Sequence, residues 1–225
     1  MEALIQQKPF EEAIEKLIVK LRRAELPEHV FNLYRETHPE LDLRGGAAKR
    51  RENLRRYLKA IRDPRYAFIG IAPGWRGARF TGVPFTDEDR LCLPGSCYDR
   101  TSSRERPYRE ATAGIVMDVL GSRTDIICFN IVPWHCHEPG NPLSNADPDS
   151  EVISYGREVL EFLFAKLYPN AQAVAVGQLA ARELAALRIN GKAVPVAAEL
   201  RHPSHGGGND FRAGATELLG TSDDE

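Results

Sequence analysis

The chain has 225 residues, 42% of them hydrophobic, and its 30 Lys and Arg against 32 Asp and Glu give a formal net charge of −2. That is a globular composition with enough chain to bury a core without staples, and no run approaches the roughly 18 apolar residues of a membrane span. The four cysteines (Cys92, Cys97, Cys128, Cys136) make neither a disulfide framework nor a C-x-x-C pair, and the opening MEALIQQKPFEEAIEK is too acidic for a signal peptide. A monomeric, cytoplasmic protein with reduced thiols and no membrane partner is expected.

In chain order, Pro9 starts a helix whose Ile14, Leu17, Ile18 and Leu21 fall on one stripe at helical spacing, with acids early and bases late. Pro27 ends it, residues 28–35 read as a second short helix, and 47–61 as a third. Four short apolar runs follow, at 66–72, 125–132, 172–176 and 194–200, each stopping at Pro, Gly or Arg201-His-Pro203 as buried strands do. Helical stretches near 105–120, 150–168, 177–188 and 210–219 alternate with them. The pattern predicts a three-layer α/β/α domain over 63–220 with a mostly parallel four-stranded sheet. A helical extension (1–62) precedes it, and a disordered acidic tail (221–225) follows.

Net charge near zero conceals a gradient. Residues 44–65 hold nine Lys and Arg and two Asp and Glu, whereas the last nine residues, ELLGTSDDE, hold four acids and no base. The basic helix is a candidate polyanion surface, and a merely solvated face is the plainer alternative.

Sites in parallel sheets lie beyond the carboxyl ends of the strands, and three of the four loops there are unusual. The first reads Gly70-Ile-Ala-Pro-Gly74, then Thr81-Gly-Val-Pro-Phe85 and Thr86-Asp-Glu-Asp89. The second is Asn130-Ile-Val-Pro-Trp-His-Cys-His137, and the third Arg201-His-Pro-Ser-His-Gly206. The glycine spacing fits neither G-x-G-x-x-G nor a P-loop. Taken in order, G-x-x-P-G, G-x-P-F and H-P-S resemble the uracil-DNA glycosylase superfamily over residues 66–219, and the first loop is most similar to its type B and single-strand-selective branches.

The resemblance implies a monofunctional glycosylase that flips a uracil or C5-substituted pyrimidine from DNA and hydrolyses its N-glycosidic bond, leaving an abasic site. Such chemistry needs a donor for the departing base anion, a clamp for the base and a positioned water. His202 fits the donor, Phe85 the stacking platform, and Asn130 the amide that reads a pyrimidine edge; a core-anchoring Phe and a turn-forming Asn are the structural alternatives. Ala72, Pro73 and Gly74 would complete the base pocket. Ile71 and Ala72 cannot orient water. The resemblance to the type B branch, which also lacks a polar residue there, implies an acid after T-G-x-x-F. Asp87, Glu88 or Asp89 is then the candidate, with Glu88 best aligned by spacing and a solvated acidic loop as the plainer alternative. Gly74 stands where the strictest uracil enzymes carry a tyrosine, which implies open room at C5.

Arg76, Arg79, Arg201, Ser204, His205 and the backbone at Gly206 are candidate DNA contacts, with Arg100, Arg104, Arg106 and the basic helix around them. No large apolar wedge follows His202, which favours single-stranded or distorted DNA. No metal or other cofactor is expected, since the cysteines do not match the iron–sulfur spacing of thermophile branches. Three alternatives stay open: a glycosylase for modified phage cytosines in anti-phage defence, a non-catalytic DNA-binding relative, and an α/β hydrolase with zinc at His135, Cys136 and His137.

Overall fold

The four apolar runs pair into one parallel sheet. The computed structural model of the protein describes residues 2–121 and 123–220; the tail expected at 221–225 lies outside them. Its elements are α1 (Glu2–Arg23), β1 (Val30–Phe31), α2 (Gly46–Ala60), β2 (Tyr66–Gly70), the short turns α3 (Ala78–Thr81) and α4 (Glu88–Leu91), α5 (Ala111–Leu120), β3 (Ile126–Asn130) and β4 (His135–Cys136). Then come α6 (Ser150–Phe162), continued by a π-helical turn (Leu163–Leu167), β5 (Gln172–Val176), α7 (Gln178–Ala186), β6 (Arg188–Ile189), β7 (Lys192–Ala193), β8 (Val196–Leu200) and α8 (Gly208–Leu219).

The sheet order is β3-β2-β5-β8 with every pair parallel. Strand periodicity sorts its side chains into two cores. Ala67, Ile69, Ile127, Phe129, Ala173 and Ala175 meet Leu17, Leu54, Leu160 and Leu184 of the helices on one face. Tyr66, Phe68, Ile126, Cys128, Val174 and Val176 meet Val116 and Leu120 of α5 and Phe211 and Ala215 of α8 on the other. The chain leaves β2 for β3 on one side and then crosses back to β5 on the other. The carboxyl ends of these central strands therefore flank a switch point, where such sheets open a crevice.

Two expectations for the N-terminal region need correction. Residues 28–35 form turns around β1, which pairs antiparallel with β4 (Val30 opposite Cys136, Phe31 opposite His135), so strand pairing overrides the short helical pattern. Pro9 lies inside α1 and not at its start, and among residues 7–23 the buried stripe of this helix runs from Ala13 to Leu21. α1 and α2 share the core on the first face, and β1 reaches the loop after β3.

Candidate active site

A cavity of about 420 Å³ opens at the carboxyl ends of the strands, lined by Ile71, Ala72, Pro73, Gly74, Phe85, Asn130, His202, Ser204 and His205 together with Glu110, Asn145 and Asp147. Three segments remote in sequence thus meet in one space. Gly70 and Asn130 are register partners across β2 and β3, which sets the Asn130 side chain beside a residue with none. A Cβ on Gly70 would lie 2.5 Å from Phe85 Cζ and 2.8 Å from Asn130 Oδ1. Asn130 is 4% exposed, yet its carboxamide makes no hydrogen bond to described residues. An unpartnered amide at the cavity wall offers one acceptor and one donor side by side.

Phe85 and His205 hold φ values of 56° and 50°, two of the three positive-φ residues other than glycine among the described residues. Such backbone costs on the order of 1–3 kcal/mol and persists where the surroundings impose it. Here it turns the Phe85 ring into the cavity beside Asn130.

His202 Nδ1 accepts a hydrogen bond from the Ser204 backbone N–H at 3.2 Å and lies 2.7 Å from Ser204 Oγ. The backbone donor leaves Nδ1 unprotonated in the neutral ring, so the proton sits on Nε2. Burial, aided by the nearby His205, pushes the His202 pKa down and keeps the ring neutral at physiological pH. The cleft therefore presents a neutral N–H donor. A second groove of about 550 Å³ shares His202, Ser204 and His205 with the cavity and runs on past Gly177, Gln178 and Arg201.

The loops forming the cavity are tied together. His135 is buried and donates from Nδ1 to the Pro73 carbonyl at 2.9 Å, and burial lowers its pKa to about 4, so it serves as a neutral strut. The Trp75 backbone N–H donates to Asn145 Oδ1 at 2.9 Å. Among the described residues no three His, Cys, Asp or Glu side chains are grouped to hold a metal ion.

Compared with solved structures, the chain is similar to the crystal structure of wild-type SMUG2 from Pedobacter heparinus, a uracil-DNA glycosylase superfamily protein, with a TM-score of 0.66 at 14% identity over 92% of this chain and 96% of that one. The fold is uracil-DNA glycosylase-like. No family model and no curated protein matches the sequence. Among the described residues, no helix is long and apolar enough to cross a membrane.

The three acids read as water-orienting stand outside the cavity. Glu88 is fully buried and accepts from the backbone N–H groups of Thr101 and Ser102, both at 2.8 Å, from the Ser102 hydroxyl and from Tyr108 N–H at 3.4 Å; it pins the loop. Asp87 caps α4 through Arg90 N–H and accepts the Glu110 backbone N–H, each at 2.9 Å. Asp89 is partly exposed and pairs with Arg109 at 3.5 Å. A run of polar letters after T-G-x-x-F gives no sign of which of them are consumed internally.

Several expected DNA contacts are also structural. Arg79 is fully buried and paired, with Arg50, to the buried Asp42; its guanidinium lies 4.2 Å from the centroids of both Phe31 and Phe80. Within the basic helix Arg51 bonds the Tyr34 carbonyl, Arg55 pairs with Glu15 and Glu52, Arg56 with Glu52 and Asp99, and Lys59 with Glu11. This helix braces the N-terminal segments against the first loop. Arg100 donates to the carbonyls of Arg104 and Glu105 in its own loop, and Arg201 pairs with Asp210 at 3.0 Å. Arg76, Arg104 and Arg106 remain exposed; Arg76 lies over the Trp75 ring at 4.4 Å and Arg104 over Tyr108 at 4.5 Å. Ser204 and His205 line both grooves, and Gly206, next in the chain, takes a left-handed turn (φ 80°) and lines neither.

One cavity residue has no sequence signal. Glu110, the N-cap of α5, sends its carboxylate over the first loop, where a Cβ on Gly74 would lie 2.1 Å from Oε1 and one on Gly77 would lie 1.9 Å from Oε2. The room expected above Gly74 is therefore occupied by a carboxylate. Burial pushes the Glu110 pKa up to about 7, Asp87 adding to the rise and Arg76 opposing it.

Proposed function

We propose that this protein is a monofunctional DNA glycosylase that hydrolyses the N-glycosidic bond of a flipped uracil or C5-substituted pyrimidine. The observation that carries the reading is the convergence of Phe85, Asn130 and His202 on one cavity. The flipped base stacks on Phe85 and pairs its edge with the free carboxamide of Asn130. As the bond to C1′ lengthens, negative charge grows on the base, and the Nε2–H of His202 donates to its O2. A neutral donor preset in a partly desolvated cleft stabilises that charge without reorganising, and one such donor is worth roughly 10²–10³ in rate. No Lys lines the cavity, so nothing there forms a Schiff base with the sugar, in keeping with hydrolysis alone.

DNA is the partner this reading requires. The groove past Gly177 and Arg201 adjoins the base cavity and would take the flanking strand, with Arg76, Arg104 and Arg106 as exposed cations for phosphates. The cavity of about 420 Å³ holds more than a bare pyrimidine, but the space above Gly74 is taken by the Glu110 carboxylate, so a C5 substituent has to lie beside that group. Incubation with oligonucleotides bearing uracil, 5-hydroxymethyluracil or modified cytosines, followed by alkaline cleavage, tests the reading. Strand scission at the modified position is expected, and intact strands across the panel would overturn it.

A further inference from the structure

We propose that Glu110 is the catalytic base that orients the attacking water and takes its proton, an inference that rests on the glycosylase reading above. That reading leaves one role unfilled. His202 serves the leaving base, Asn130 and Phe85 hold it, Ile71 and Ala72 carry no polar group, and residues 87–89 are engaged elsewhere. Among the acids lining the cavity, Glu138 and Asp147 are exposed, whereas Glu110 is recessed. Its carboxylate makes no hydrogen bond and no ion pair with any described residue, and two side-chain-free positions, Gly74 and Gly77, make the space it occupies. A recessed carboxylate without partners, opening on the cavity, is free to accept a hydrogen bond from a water that enters with the substrate.

The position suits the reaction. The base readers meet over Gly70 at the strand end, while Glu110 stands over Gly74 and Gly77 in the loop beyond it. Both sets of groups line the one cavity, so a nucleotide whose base reaches Phe85 and Asn130 brings its sugar into the space that Glu110 also lines. In the step, the C1′–N bond breaks with its electron pair leaving on the base, a water oxygen bonds to C1′, and the water proton passes to the Glu110 carboxylate. The base anion then takes a proton from solvent, and Glu110 returns its proton to solvent. The titratable and charged groups facing Glu110 are Asp87 beneath it, Arg76 on the same loop, and Glu138, Asp147, His202 and His205 around the cavity. Burial poises the carboxylate to titrate near neutrality, where a general base works best.

Single-turnover excision by the wild type, E110Q, E110D, E110A and H202A, measured from about pH 5 to 9 with oligonucleotide affinity alongside, tests the assignment. E110Q is expected to lose on the order of 10²–10⁴ in rate with oligonucleotide affinity little changed. The wild-type rate should rise with pH to a plateau with a midpoint near 7, and E110Q should lack that limb. E110A should regain activity with added formate, a rescue that a merely structural role would not show. E110Q at wild-type rate beside an inactive H202A overturns this assignment alone, as does an E110Q defect confined to affinity or to discrimination among C5 groups. A wild type that excises none of the bases overturns both this assignment and the glycosylase reading.

Discussion

The ring of Phe85 and the carboxamide of Asn130 meet above Gly70, whose missing side chain leaves 2.5 Å to one and 2.8 Å to the other at the point a Cβ would take. Gly70 is a fully buried strand residue with ordinary backbone, so its role is space and not conformation. Gly70→Ala should displace both side chains from the pocket. Overpacking of this kind costs about 1–3 kcal/mol, which the fold should survive, while excision should fall by on the order of 10²-fold. Thermal melting and single-turnover kinetics on the same sample check this, and an active Gly70→Ala would mean the two groups do not share a base.

Arg76 and Arg79 are three residues apart and have opposite fates. Arg76→Ala should weaken oligonucleotide binding across all sequences and reduce the salt slope by roughly 0.7–0.9, one phosphate contact. Asp42→Ala leaves the buried guanidinium groups of Arg50 and Arg79 uncompensated and should destabilise the fold by about 3–5 kcal/mol. Denaturant titration and salt-dependent binding separate the two, and a stable Asp42→Ala protein would contradict the buried cluster.

Stability should depend on pH through Glu110. The unfolded carboxyl titrates at about 4.3, and the folded one is pushed up to about 7. Between those values the folded protein holds a proton the unfolded chain has lost, so this group's contribution falls as pH rises through the window. Glu110→Gln removes the titration. Its melting temperature should exceed the wild type's at about pH 8 and converge with it toward about pH 4.5. A pH-independent difference would place Glu110 in water.

Ser204 holds His202 through Nδ1 and also lies 3.0 Å from His205 Nδ1. Ser204→Ala keeps the backbone N–H that fixes the tautomer but frees the ring to turn. Turnover should fall by about tenfold with affinity little changed, and unchanged turnover would mean the backbone bond suffices.

Much of the fold was legible because the determinants are local. β5 matches its predicted run residue for residue, and the run at 194–200 ends with β8 at Leu200. The strands within the runs at 66–72 and 125–132 end two residues earlier, at Gly70 and Asn130, where the cavity begins. The partners of the polar residues were not legible. Nothing near Glu88 announces the amides of Thr101 and Ser102, and nothing near Arg55 announces Glu15 forty residues earlier. A basic helix and an acidic loop look like surface until the acids and bases that neutralise them are known. Glu110 is the converse case, an unremarkable letter before a helix that long-range packing sets over two glycines.

The central claim is that the Nε2–H of His202 makes a pyrimidine a viable leaving group. Single-turnover excision by His202→Ala, alongside its oligonucleotide affinity, tests it most directly. The account predicts a rate lower by roughly 10²–10³ with binding retained, and excision at the wild-type rate would contradict it.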